Sequence, residues 1–266
     1  MKRIFITLTL VAAFALSASA QKAITNVKCN ADEVVQWWNN KKAPHSNEET
    51  KDEERDASGH FMYTSQTEFY IYKADPAKAT GQGIVIVPGG GYYKLSMKFD
   101  GFMIAQYLRT IGVSSIVVKY RLPNGHREVP LEDAQAGLRF MRTEGASWGV
   151  DPKQVGILGS SAGGYLAAHV STATPDEQKP AFAILIYPVI SGTTHSTHHG
   201  TFNYMLGKLR TDAEQEYLSL ENRVTATTPP TLLLLADDDL TVPTTSSMRY
   251  YKALRRFGIP ADISSP

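Results

Sequence analysis

Five continuous apolar runs punctuate the chain: GIVIV (83–87), SSIVVKY (114–120), QVGILG (154–159), FAILIYPVI (182–190) and TLLLLA (231–236). Runs of this length without polar alternation suit strands covered on both faces, as in a parallel sheet. Between them apolar residues recur at helical spacing: Ile104, Leu108 and Ile111; Leu131, Ala134, Leu138 and Met141; Tyr250, Leu254 and Phe257. Gly258 stands where a helix C-terminal glycine belongs, with Lys252, Arg255 and Arg256 in the last turn and Pro260 just beyond. The alternation predicts an α/β domain: a mostly parallel sheet, right-handed crossovers, and helices on both faces. The sequence has no internal repeat and no sign of a second domain. Its longest interruption, 191–229, reads as a cap or insertion over one end of the sheet.

Residues 1–20 read differently. Lys2 and Arg3 precede an apolar run from Ile4 to Leu16 and the small residues Ser17-Ala18-Ser19-Ala20, the pattern of a secretory signal cleaved between Ala20 and Gln21. The run is shorter than the roughly 18 residues a membrane span needs, so the expected location is secreted or periplasmic, with no membrane attachment after cleavage. Loss of Lys2 and Arg3 changes the formal charge from +1 to −1, which gives no electrostatic case for a nucleic-acid partner. Cys29 is the single cysteine, so no intrachain disulfide can form even in an oxidising compartment. It reads as a partly buried free thiol. Residues 21–65 are polar, with the acid-rich run from Glu48 to Asp56, and read as a surface-wrapping segment ahead of a domain at 66–266. The pair Trp37-Trp38 within them suits packing better than sugar stacking.

Two motifs carry chemistry. GSSAG at 159–163 fits GxSxG with Ser161 central, a strand before it and a helix-compatible run after it. A serine on such a turn needs small neighbours because the backbone is strained, and the turn lifts its hydroxyl to the carboxyl end of the sheet. Ser160 fills the spacer position, and the rival reading is a phosphate-cradling glycine turn. PGGGYY at 88–93 follows directly on the run 83–87. Successive glycines let backbone N–H groups face a developing negative charge, as an oxyanion hole requires, although a flexible turn has the same composition.

The order PGGGYY, YRLP (120–123), DAQAGLRFMR (133–142), GVDPKQVGILGSSAGGYLAAH, IYPVIS (186–191), YMLG (204–207) and the acidic run near 237 resembles the α/β-hydrolase esterase/lipase superfamily. More narrowly, it is similar to secreted bacterial carbohydrate esterases of the acetyl-xylan or feruloyl type, over roughly 70–261. The resemblance implies Ser161 as nucleophile and the backbone amides of Ala162 and of Gly90 or Gly91 as oxyanion donors. Pro88 stands where the family's HGGG motif begins with histidine, which removes a side chain but no backbone donor. The acid of the family's DxxVP arrangement lands on Asp239, with Asp237 and Asp238 as neighbouring alternatives.

The resemblance also implies a further strand and a glycine-flanked histidine after the acid, and the sequence has no histidine after His199. Losing that base costs a serine triad on the order of a millionfold in turnover, about 8 kcal/mol. Three expectations compete. One is a truncated or frame-shifted form of a longer esterase, its last strand and helix missing. Another is that His195, His198 or His199 of THSTHHG reaches Ser161. The last is a catalytically dead carbohydrate-binding or scaffold protein. The same histidines lack convincing partners for a metal site, and no metal or organic cofactor is implied. His45, His60, His126 and His169 read as structural or surface residues. The expected reaction is hydrolysis of a small acyl ester or an acylated oligosaccharide or polysaccharide through an acyl-enzyme. A peptidase of the same fold is the weaker alternative, and the oligomeric state stays open.

Overall fold

The structure is a computed structural model that describes residues 29–193, 197–207 and 211–265. The expected signal segment and His195 lie outside the described residues. An eight-stranded sheet organises the chain, in the order β1 (Glu33–Asn39), β4 (Gln66–Tyr72), β6 (Ser114–Lys119), β5 (Gly83–Val87), β7 (Val155–Ser160), β8 (Ala183–Ile186), β9 (Thr231–Leu234) and β10 (Ala261–Ser264). A separate two-stranded ribbon pairs β2 (Glu54–Arg55) with β3 (Phe61–Met62). The pairings β1 with β4 and β4 with β6 are antiparallel, and every pairing from β6 to β10 is parallel.

β5, β6 and β7 are buried at every position, which is why their sequences are apolar without alternation. Val117 and Val118 are successive residues of β6 and point to opposite faces. Gly101, in a π-helical stretch (Met97–Met103) that leads into α1 (Ile104–Thr110), closes on Val117; Gly137 of α2 (Glu128–Glu144) closes on Val118 and Ile116. Helices therefore cover both faces. α3 (Ala162–Ala173) packs on α2 and on β7 and β8. The 191–229 interruption carries α4 (His199–Leu206) and α5 (Asp212–Tyr217), and α6 (Thr244–Arg256) precedes β10. α6 ends as its residues dictate: Gly258 has φ +72° and its N–H donates to Arg255 O. No helix among the described residues is long and apolar enough to cross a membrane.

Three expectations need correction. The strand expected to be missing is present: β10 pairs with β9 from Ala261 to Ser264. The N-terminal segment does more than wrap the surface, because β1 extends the sheet at its edge, so the 66 boundary falls inside the folded unit. Cys29 is exposed, with Sγ 3.8 Å from the Tyr72 hydroxyl. The tryptophans behave as packing residues: Trp37 meets Phe69 and Phe140 at centroid distances of 5.3 and 5.8 Å, and Trp38 Nε1 donates to Asp133 Oδ1 at 2.6 Å.

Asp133 belongs to a buried knot around Arg121, and both side chains are 0% exposed. The guanidinium donates to Asp133 (Nη2, 2.8 Å), Glu132 (Nη2, 2.6 Å), His45 O (Nη1, 2.6 Å) and Asn40 Oδ1 (Nη1, 3.2 Å), and Arg121 N–H donates to Asp133 Oδ2 at 2.8 Å. Burial works against the charge, yet the bonds to Asp133 and Glu132 hold the Arg121 pKa above its ordinary value. Truncating one partner of such a knot leaves buried donors without their acceptor and the buried cation with fewer counter-charges. Asp133→Ala is expected to cost about 3 to 5 kcal/mol of folding stability, read from the urea midpoint.

Candidate active site

β7 ends at Ser160 and α3 begins at Ala162, so Ser161 alone makes the turn between them. Its backbone sits at φ +54° and ψ −119°, a strained region for a residue with a side chain. Three hydrogen bonds hold it there: Ser161 N–H donates to Ile186 O (2.9 Å), and Ser161 O accepts from Tyr165 N–H (3.0 Å) and Val189 N–H (3.1 Å). The neighbouring glycines are steric necessities. A Cβ at Gly159 would lie 2.1 Å from Gly163 O, and one at Gly163 would lie 2.1 Å from Val87 O. The Ser160 side chain is turned inward and its residue is 1% exposed, whereas Ser161 is half-buried.

The glycine loop follows β5 at the point where strand order reverses, since β5 lies between β6 and β7. Ligands of open α/β sheets bind in that crevice, beyond the carboxyl ends of the strands. The loop's carbonyls are committed: Pro88 O accepts from the Tyr120 hydroxyl (2.7 Å), Gly89 O from Ser96 N–H (2.8 Å) and Gly90 O from Lys94 N–H (3.2 Å). Gly90 and Gly91 have φ of +128° and +64°. Among the described residues no acceptor meets the N–H of Gly90, Gly91 or Ala162; that of Ala162 is a first-turn helix amide with no carbonyl of its own. The loop abuts the serine, because a Cβ at Gly89 would lie 3.2 Å from Ser161 Cβ and 2.6 Å from Ser160 O.

The same position would lie 2.7 Å from Asp100 Oδ2, which accepts the Gly89 N–H at 3.1 Å. Burial pushes the Asp100 carboxyl up to about 6, against the bonds from Gly89, Ser96 and Tyr187 that favour its charged form. Tyr187, at φ +34° beyond β8, is raised above the ordinary phenol range by burial and by the charges of Asp100 and Asp239. Asp100 escapes sequence reasoning. The one signal available is an acid inside the otherwise apolar stretch FDGFMIA.

Of the three neighbouring aspartates, Asp237 and Asp238 are exposed and Asp239 is half-buried. Asp239 Oδ1 accepts from Thr241 N–H (2.8 Å) and Val242 N–H (2.9 Å), which fixes the carboxylate through one oxygen. Of the candidate histidines, His198 and His199 lie among the described residues. His198 caps α4: its Nδ1 accepts from Thr201 N–H at 3.2 Å and contacts Thr201 Oγ1 at 2.9 Å. A triad base donates from Nδ1 to the acid, whereas here the His198 Nδ1 is taken up by Thr201. Burial and the neighbouring His199 lower its pKa, partly offset by Asp239. His198 nevertheless lies at the site, its Cε1 3.8 Å from the Cβ position of Gly91. His199 is exposed, and among the described residues no histidine is hydrogen-bonded to Ser161. His45 contacts Glu132, His60 contacts Asp56, and buried His169 is lowered to about 3 by burial. Among the described residues no three potential metal-ligating side chains gather.

Residues 84–265 match the α/β-hydrolase fold family. The chain belongs to that family. It is 39% identical over 187 residues to an acetylxylan esterase of Xylanibacter ruminicola, covering 69% of this chain and 39% of that protein. It is 33% identical over 193 residues to endo-1,4-β-xylanase B of Butyrivibrio fibrisolvens, covering 66% of this chain and 30% of that one. The chain thus spans under two fifths of the length of these curated relatives. Among solved structures, an acetyl ester-xyloside bifunctional hydrolase from Caldicellulosiruptor lactoaceticus superposes with a TM-score of 0.71 at 29% identity, covering 88% of this chain and 85% of that one. The proteins this α/β hydrolase resembles thus include an acetylxylan esterase and an acetyl ester-xyloside hydrolase.

Two measurements follow from the site's construction. Gly163→Ala drives a methyl into the Val87 carbonyl and is expected to cost about 3 kcal/mol or more, read from urea unfolding. Asp100 titrates near 6 when folded and near the model-compound 3.8 when unfolded, so between these values the folded state binds more protons and stability falls as pH rises. Asp100→Asn is expected to flatten that decline, on the order of 2 kcal/mol between pH 4 and 6.

Proposed function

We propose that this α/β hydrolase is a serine esterase that removes acetyl or related acyl groups from plant oligosaccharides or polysaccharides through an acyl-enzyme. The observation that carries the reading is the strained turn of Ser161 against a glycine loop whose Gly90 and Gly91 amides have no acceptor among the described residues. In this reading Ser161 Oγ bonds to the ester carbon, and the amides of Ala162 and of Gly90 or Gly91 hold the oxyanion. Collapse expels the sugar hydroxyl, which leaves with the serine's proton. Water then adds to the acyl carbon, releasing the acid and restoring the Ser161 hydroxyl. Asp239, its carboxylate tethered through one oxygen, stands in the place of the triad acid in this reading. The chemistry calls for no cofactor. Export with cleavage between Ala20 and Gln21 completes the proposal, because a polymeric substrate remains outside the cell. The acetylxylan esterase relative supports the substrate class.

One observation favours a second reading, a homologue that binds acylated carbohydrate without turnover: no described histidine is hydrogen-bonded to Ser161. Hydrolysis of 4-nitrophenyl acetate separates the two. The esterase reading expects Ser161→Ala to lower kcat about a thousandfold or more, with a fluorophosphonate label found on Ser161 by peptide mass spectrometry. Equal rates for the two proteins and no label at Ser161 support the binding homologue.

A further inference from the structure

Tyr92 and Tyr93 are consecutive, and the glycine turn before them sends them opposite ways. Tyr92 is 1% exposed and meets Tyr120 and Tyr165 edge-on at 6.2 and 6.4 Å, whereas Tyr93 is 45% exposed. α4 makes the same division: Phe202 and Met205 are buried at 0% and 1%, and Tyr204 on the other side is 47% exposed. The two outward tyrosines meet, with ring centroids 5.6 Å apart and planes inclined at 34°. Lys94 Nζ lies 5.2 Å from the Tyr93 centroid. The Tyr93 ring lies 3.2 Å from the Cβ position of Gly91, itself 3.8 Å from His198 Cε1. Two phenol rings held against each other at the rim of a reactive crevice form a preorganised, half-apolar surface whose edges are polar.

We propose that Tyr93 and Tyr204 form a stacking subsite for the pyranose ring that bears the scissile acyl group. Orientation of that ring toward Ser161 rests on the esterase reading; binding of the ring does not. A pyranose presents an apolar C–H face bordered by hydroxyls and so needs a flat ring beneath it and hydrogen-bonding groups around it. The two phenol rings supply the first. Their hydroxyls, the Lys94 ammonium and His198 supply the second: with Nδ1 accepting from Thr201 N–H, the neutral imidazole carries its proton on Nε2 as a donor. This polar border suits a polyol better than an aromatic or alkyl acyl chain.

Isothermal titration of the full chain with xylotetraose tests the subsite without requiring turnover. Saturable binding is expected, weakened tenfold or more in Tyr93→Ala and Tyr204→Ala and kept within threefold in Tyr93→Phe and Tyr204→Phe. Thermal melts confirm folding; should Tyr93→Ala fail to fold, Tyr204→Ala on the helix surface carries the test. Absence of xylotetraose binding by the parent chain overturns the proposal, as does equal affinity in the alanine variants. Loss of methyl ferulate binding in the alanine variants with xylotetraose binding unchanged overturns it in favour of an aromatic-acyl subsite. Loss of Ser161-dependent ester turnover with intact, tyrosine-dependent xylotetraose binding sinks the esterase reading and keeps the subsite.

Discussion

The close approach of the β5 and β7 carboxyl ends governs the structure. Gly163, in the first turn of α3, sits where its Cβ would be 2.1 Å from the Val87 carbonyl, and Gly159 makes the reciprocal contact with the Gly163 carbonyl. Only with these side chains absent can the chain turn at one residue and leave Ser161 at positive φ. The hydrogen bond from Ser161 N–H to Ile186 O and that from Val189 N–H to Ser161 O then tie the strained turn to the carboxyl end of β8. Gly89 presses on the same serine from the β5 side, and Asp100 holds Gly89 by its amide. The turn and the glycine loop are thus one rigid object, and the crevice between them inherits that rigidity.

Asp100 illustrates how such an object is held at a cost. A carboxyl raised to about 6 by burial is less stable as an anion than it would be in water, yet it anchors Gly89, Ser96 and Tyr187 together. Tyr187 in turn feels the charge of Asp239, so the loop after β9 shares electrostatics with the loop after β5.

Legibility in the sequence followed burial. β5, β6, β7 and β9 announce themselves as apolar runs because both faces or most positions are covered, and Gly258 signals its own φ. FAILIYPVI reads longer than β8, which stops at Ile186 because Tyr187 adopts φ +34° and Pro188 follows. β1 is harder to read: EVVQWWN sits at the sheet edge with mixed exposure, and its register shifts between Gln36 and Trp38. The turn at Ser161 and the glycine loop were legible because only particular residues adopt such local backbone shapes. The capping role of His198 was not, since it depends on where α4 begins, and the anchor at Asp100 depends on a contact eleven residues away in sequence.

The knot at Arg121 changes what the first folded residues are. Asn40 and the His45 carbonyl contribute acceptors to a guanidinium fixed at the end of β6, and Trp38 donates to the same carboxylate that neutralises it. Docking of this segment and burial of the charge are a single event, since neither the cation nor Asp133 has its full set of partners until both are in place. A protease cut between residues 40 and 45 would therefore act on the body of the domain rather than trim its margin, opening a buried charge to water at the edge of the sheet.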